Sequence, residues 1–397
     1  MFQRLVSHNA DISRLVERGY AIAFDRNYLV VRDIPYLDIN GNLQRGAFVT
    51  KLVFIDQKRV TQEDHQVFFC GSHPYQIDGR PIANLGGGPA KLQLSEKCKD
   101  VVVERSFSNK PKSAGRFEDF FAKIESYTGI ISGPAIERYG VTPYTFRADS
   151  TFVNDSVFKF QDTLTSRAEI SDLSEKFKNE VIAVFGLGGT GAYLLDFLVK
   201  TPVHEIRAFD LDSYQVHNAF RSPGKLDPEE LGKTKAQVYK DRYENFREGL
   251  QIFPEFIDAS NVEAISGITF AFVCVDKGSS RNGIFELLIN NSIPFIDVGM
   301  GLSRKQDALS GMLRTTYYPA DRGAEMKEKQ LAELKDTPED MYRTNIQIAE
   351  LNSLNASLAV IRYKQLRGFY YEEIPNLHLL FGIDDLKIVG ESHFDEN

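Results

Sequence analysis

The chain has 397 residues, 42% hydrophobic and 26% charged, which suits a globular protein long enough for two domains. Its net charge of −8 argues against sequence-independent nucleic-acid binding, since neutralising a phosphate backbone needs a surplus of Lys and Arg. Any phosphate site must therefore be local. The start, MFQRLVSHNADISR, has no apolar segment after its first charge, and no other stretch reads as a membrane span, so a cytoplasmic protein with no membrane partner is expected. Three dispersed cysteines, Cys70, Cys98 and Cys274, are too few for a disulfide framework or for paired C-x-x-C zinc ligands, and they point to a reducing compartment.

In chain order, Asn9 is placed to cap a helix over Ala10–Arg18, and Gly19 to end it in the left-handed conformation. β-Branched and aromatic runs at 20–24, 28–32, 48–55 and 66–70 then predict strands, with turn dipeptides at Asn40-Gly41 and Asp78-Gly79. The segment NLGGGP at 84–89 reads as a loop and 117–127 as a helix. Residues 1–165 thus read as an α+β domain with a mostly antiparallel sheet. Polar residues 160–180 read as a linker and lead-in helix to a second domain, 166–397.

From Val181 onward strands and helices alternate. Strands are expected from Val181, from Glu205, at 270–275 and at 294–298, and helical segments from Tyr193, at 234–247 and at 280–290. That alternation predicts an α/β fold, a Rossmann-like doubly wound, mostly parallel sheet with right-handed crossovers. Charge-dense 321–340 reads as a solvated helix or mobile crossover. A long helix is expected at 345–366, apolar at Ile346, Ile348, Leu351, Leu354, Leu358, Ile361 and Leu366, with Gly368 as its stop. The segment NLHLLFGIDDLKIVG predicts a hairpin turning about 382–385.

The richest stretch is VIAVFGLGGTGAYLLDFLV, 181–199. Gly186, Gly188, Gly189 and Gly191 lie between a buried-type strand and a helix, where glycines permit a tight turn and let helix N-terminal amides approach a phosphate. Asp210 falls nineteen residues after the last of them, at a strand end, and suits a ribose hydroxyl. A dinucleotide-binding unit and an ATP-binding relative fit this pattern equally; a chance glycine loop is the third reading. A membrane span does not fit, because four glycines, Thr190 and Asp196 would sit in lipid.

Further residues separate the two chemistries. Asp210 opens DLDSYQVHNAFR, which places Asp212, Asn218 and Arg221 beyond a strand end; Lys235 follows in LGKTK, and Asp276 follows FAFVCV. In a doubly wound sheet these ends converge beside the glycine loop. Transfer of a nucleotidyl group to a carboxylate needs such a set, because an anion approaches a polyanion and expels pyrophosphate. Arg221 and Lys235 can neutralise phosphate oxygens, and Asp276 can hold Mg²⁺.

These motifs resemble the ThiF/MoeB superfamily, the adenylating enzymes that activate ubiquitin-like and sulfur-carrier proteins. The likeness rests on GLGGTG, on D-x-D with Asn and Arg eight and eleven residues after its first Asp, on G-x-x-K ending at Lys235, and on VDKGSSR. IPFIDVGMG and the late helix extend it over about 167–371. The resemblance implies that Asp210 holds the ATP ribose, Asn218 and Arg221 the phosphates, Lys235 the phosphates and transition state, and Asp276 the magnesium. Arg167 would reach the γ-phosphate, often from the second subunit of a homodimer. The implied partners are a ubiquitin-like carrier and a conjugating enzyme, with residues 1–165 as the recognition domain.

This chain also departs from the family. It lacks the two C-x-x-C pairs of many relatives, so no structural zinc is expected, and it has no cysteine after Cys274 to form a thioester. Cys274, within an expected strand, reads as an inert core thiol, and Cys98, between Lys97 and Lys99, as a surface bystander. Thr344, Ser303 and Ser310 are hydroxyls near the missing cysteine without an identifiable activating base. Asp212 reads equally as a second magnesium-side carboxylate or a helix cap, and His217 as a loop residue. His65, Cys70 and His73 lack a fourth metal ligand, and the 86–89 glycines read as surface loop rather than anion site. Rival readings are adenylation of a small molecule or RNA base, a nicotinamide or flavin oxidoreductase, and a nucleotide-binding scaffold without catalysis.

Overall fold

In the computed structural model, which describes residues 2–95, 98–111, 115–148, 156–160, 162–168, 170–336 and 346–391, the chain divides into two units, Met1–Ser171 and Asp172–Asn397. The first opens with helices α1 (Phe2–His8) and α2 (Ala10–Arg18), and Gly19, at φ +103°, ends α2 as expected. Asn9 is a correction: its side chain makes no cap hydrogen bond. Instead Nδ2 donates to the carbonyls of Leu5 and Lys58, and Oδ1 accepts from the Val60 amide. The residue suited to a cap ties the helix pair to a strand 51 positions away.

Strands β1 (Ala21–Asp25), β2 (Tyr28–Leu37), β3 (Leu43–Phe54), β4 (Val60–Gln62), β5 (Val67–Cys70), β6 (Gly88–Pro89) and β7 (Arg105–Phe107) form an antiparallel sheet ordered β1-β2-β3-β5-β7-β6, with β4 beside β3. Part of the expected 84–89 loop is therefore strand. Helix α3 runs Phe120–Tyr139, well past the expected 127. Its second half buries Ile131, Pro134 and Ala135, and this packing outweighs the low helix propensity of Gly129 and Pro134. Tyr20, Phe48, Phe69, Phe107 and Tyr127 form the centre of this core. A short helix α4 (Thr163–Arg167) follows.

The second unit begins with α5 (Ser171–Ser174) and a 3₁₀ turn whose Phe177 is buried against Tyr363 and Phe369. Next come β8 (Val181–Phe185), α6 (Gly189–Val199), β9 (Glu205–Phe209), α7 (Val216–Ala219), α8 (Lys235–Tyr243) and β10 (Leu250–Phe253). The chain continues through β11 (Phe270–Val273), α9 (Gly278–Asn290), β12 (Phe295–Lys305), β13 (Ala308–Tyr318), α10 (Gly323–Glu328), α11 (Ala349–Leu366), β14 (His378–Gly382) and β15 (Lys387–Glu391). The sheet order is β10-β9-β8-β11-β12-β13-β14-β15, parallel from β10 to β12 and antiparallel beyond. It is the Rossmann-like α/β sheet expected, extended by a β12–β13 hairpin that short apolar runs did not signal and by the expected β14–β15 hairpin. Helices α6, α8 and α11 contribute to the core on one face, with α9 and α10 contributing to a second core.

Helix α11 carries the sharpest correction. The expected apolar face is not the buried one: Ile361 is exposed, while Asn352, Asn355, Ala356, Ala359 and Tyr363 are buried. The cause is close approach to α6, where a Cβ on Gly189 would lie 2.1 Å from Asn352 Nδ2. No side chain fits at Gly189 against this approach. Residues 337–345, including Thr344, lie outside the described set.

Candidate functional site

The chain lays β9 and β10 on one side of β8 and returns to place β11 and β12 on the other, so the order reverses between β8 and β11. Outside the C-terminal ends of these strands a doubly wound sheet opens its crevice. The glycine loop sits there. Gly186 turns the chain at φ +91°, its amide donating to the Phe209 carbonyl. Gly188 is the N-cap of α6 and has no side chain with which to cap it, and a Cβ there would meet nothing within 4 Å. The N-terminus of this eleven-residue helix thus has no side-chain cap and has open space at Gly188, and uncapped helix amides attract an anion.

Asp210 follows β9, and its carboxylate does local work first. Oδ2 accepts from the Leu187 amide at 2.6 Å and from Lys235 Nζ at 3.2 Å, while Oδ1 accepts from the Asp212 amide at 2.9 Å. The residue read as a ribose ligand therefore also clamps the glycine loop. Lys235 is the first residue of α8, whose cap Thr234 accepts from the Gln237 amide. Its Nζ lies 2.8 Å from Asp212 Oδ2, and its side chain is only 6% exposed. Asp212, by contrast, is largely exposed: it is an ion-pair partner of Lys235 rather than a helix cap, and its carbonyl accepts the Lys235 amide.

Asn218 is buried in the one-turn helix α7, where its Oδ1 accepts the Gln215 amide at 2.7 Å and its carbonyl receives the Arg221 amide. That turn presents Arg221, whose buried Nε has no hydrogen-bond partner among the described residues. A buried cationic donor left without an acceptor is costly, and phosphate oxygens would satisfy it. His217, on the same turn, is exposed.

Asp276 lies past the end of β11 and one residue before the α9 cap Lys277; it is exposed, and its carboxylate has no partner among the described residues. No group of three or more His, Cys, Asp or Glu side chains that could hold a metal occurs among the described residues. A magnesium ion here would therefore rest on the Asp276 carboxylate, nucleotide oxygens and water, which is how this cation is commonly held beside phosphates. The residues present fit that role. Cys274, just before, is poised against reactivity: desolvation pushes its thiol well above the ordinary range, and the charge of Asp297 adds to this.

The remaining sequence candidates fall elsewhere. Arg167 is the last residue of α4, and its side chain lies outside the described set. Ser303 and Ser310 face each other across the β12–β13 hairpin, and Ser310 Oγ donates to Asp384. His65 Nε2 hydrogen-bonds Ser108 Oγ.

One site residue was missed by sequence reasoning. Asn352 of α11 is fully buried; its Oδ1 accepts from Thr190 Oγ1 at 2.9 Å, and its Nδ2 donates to the Arg221 carbonyl at 3.3 Å. It thus couples the glycine-loop helix to the arginine turn, and its only sequence signal was an amide inside a helix-period pattern. Asn352→Asp deletes the donor and sets a carboxylate against a carbonyl. We expect a loss of about 1–3 kcal/mol in stability and weaker ATP binding, checked by thermal melts and by nucleotide titration.

Two family models match the chain: a domain of unknown function, DUF6791, over residues 10–163, and the ThiF family over 163–346. No curated protein matches it. Among solved structures, crystalline PaaA is 19% identical, with a TM-score of 0.43 over 58% of this chain and 70% of that one. E. coli MccB with ATP is 15% identical, with a TM-score of 0.41 over 55% and 65%. The microcin C7 biosynthetic enzyme MccB in complex with N-formylated MccA is 16% identical, with a TM-score of 0.42 over 58% and 70%. Glycine loop, Asp210, Arg221, Lys235 and Asp276 all fall within residues 163–346, the span over which this chain carries a ThiF family domain.

Proposed function

We propose that the protein is a Mg·ATP-dependent, cytoplasmic, homodimeric enzyme that adenylates the C-terminal carboxylate of a ubiquitin-like or sulfur-carrier-like protein. The observation that carries this reading is the buried Lys235, paired with Asp210 directly beside the glycine loop. A nicotinamide site has no need of a cation there; a polyphosphate under attack by a carboxylate does.

In the proposed step, a carboxylate oxygen of the carrier attacks the α-phosphorus of ATP. The bond to the bridging oxygen breaks, and pyrophosphate leaves with the electron pair. The amides at the start of α6 bind phosphate, Asp210 orients the ribose while holding the loop, and Lys235 and Arg221 offset charge on the phosphate oxygens. Asn218 fixes the turn that aims Arg221 and contributes to phosphate binding. Asp276 would hold magnesium, which would neutralise phosphate charge. Arg167 is assigned to the γ-phosphate. Residues 1–165 would recognise the carrier or a conjugating enzyme.

The test is ATP:pyrophosphate exchange by the full chain, with and without small proteins ending in glycine. Exchange that requires such a protein is the expected result. Exchange driven by a small molecule or RNA instead would reassign the substrate, and a coenzyme signal on titration with NADH without any exchange would overturn the reading.

A further inference from the structure

Arg281, in the second turn of α9, is 7% exposed and bonds to three separate segments. Its Nη2 donates to the Val275 carbonyl at 2.5 Å, and its Nη1 to the Glu333 carbonyl at 2.9 Å. Its Nε lies 3.2 Å from Oδ1 of Asp297, an ion-pair contact without hydrogen-bond alignment. Asp297, on β12, is fully buried and is held on its other oxygen by Arg314 Nη2 at 2.5 Å.

The Val275 carbonyl belongs to the peptide plane that continues into Asp276. Holding that plane fixes the Asp276 amide and Cα, and so limits the directions in which its side chain can leave the backbone. The other side of the turn is held as well. A Cβ on Gly278 would lie 2.6 Å from the Lys335 carbonyl oxygen, so the turn abuts the 333–336 backbone, and Asp336 Oδ1 accepts the Ser279 amide at 3.1 Å. The backbone is thus held at Val275, Gly278 and Ser279, on both sides of Asp276, while the Asp276 carboxylate has no partner among the described residues. This is a rigid mount for a ligand-facing group.

We propose that Arg281 is a positioning residue for the Asp276 carboxylate, and through it for the divalent cation that accompanies ATP; this rests on the nucleotide-site reading above. The planar fork of a guanidinium suits three acceptors in fixed directions, whereas the single ammonium of lysine does not. Arg281 touches neither nucleotide nor metal in this assignment. It sets the aim of the residue that does.

The experiment measures ATP affinity by calorimetry on the full chain, once with excess Mg²⁺ and once with EDTA, and takes the ratio. Wild type is expected to prefer Mg·ATP by about tenfold or more, and Arg281→Gln to bring the ratio within about twofold of unity while metal-free ATP binds as before. Arg281→Lys should fall between, and Asp276→Asn should lose the ratio with an unchanged melting temperature. Should Arg281→Gln fail to fold, Arg281→Lys decides. A folded variant of either kind that keeps the wild-type ratio overturns the assignment. A wild-type ratio of one overturns it too but leaves the nucleotide site standing, whereas no ATP binding at all defeats both.

Discussion

Lys235→Ala is expected to abolish carrier-dependent exchange and to lower stability with it, whereas Asp276→Ala is expected to abolish exchange at unchanged stability. From motif spacing alone both substitutions should leave the fold intact; the structure separates them. The Lys235 ammonium is buried against Asp210, whose side chain is 7% exposed. Removing one partner of a buried pair strands the other charge, at about 3–5 kcal/mol. Asp210 keeps the Leu187 and Asp212 amides, so the lower end is expected here. In the proposed step, where Lys235 offsets phosphate charge, its loss should cost about 10²-fold or more in rate. Asp276 is exposed, and substitutions at such positions usually stay within about 0.5 kcal/mol. Urea denaturation and exchange assays on the same preparations check both claims. Lys235→Ala with wild-type stability would mean that the pair does not hold the loop, and an active Asp276→Ala would remove that carboxylate from the site.

The parts of this molecule that were legible in the sequence are those where a local pattern and the tertiary role coincide. Val181–Phe185 is an unbroken apolar run because a central parallel strand is covered on both faces. Gly186, Asp210 and Asp276 could be grouped because all three lie just beyond strand ends, and topology brings such ends together; Lys235 joins them from the first residue of α8. What could not be read was made in the third dimension. Asn352 looked like an ordinary helix residue, and Arg281 and Asp297, though inside VDKGSSR and IPFIDVGMG, showed no role of their own; their partners lie up to 162 positions away. The α11 face was misread for a related reason. Periodicity locates the most apolar stripe, whereas the buried stripe is the one that sets Asn352 against Gly189 of α6 and Tyr363 against Phe177. The β12–β13 hairpin escaped because Gly299, Gly301 and Ser303 break the apolar run that marks a strand, while antiparallel pairing tolerates exposed polar positions.

The glycine loop itself supplies the second large effect, because four glycines that are equivalent in the motif are not equivalent in space. Gly191→Ala is expected to destabilise the second unit severely: the added Cβ would lie 1.9 Å from the Gly186 carbonyl oxygen and 3.3 Å from Cys274 Cβ, and no flexible side chain can yield there. The loop backbone would have to open. A backbone clash in a close-packed site places the cost at about 3 kcal/mol or more, with loss of the open helix terminus and hence of ATP binding. Gly188→Ala meets nothing within 4 Å and has φ −71°, which alanine adopts freely. That variant should melt with wild type, yet bind ATP more weakly, since its methyl group would stand in the space offered to phosphate. Paired melting curves and nucleotide titrations distinguish the two. If Gly188→Ala binds ATP as wild type does, phosphate does not approach over Gly188; if Gly191→Ala melts normally, the loop is looser than its contacts imply. Agreement on both would assign packing to the last glycine of the motif and ligand access to the second.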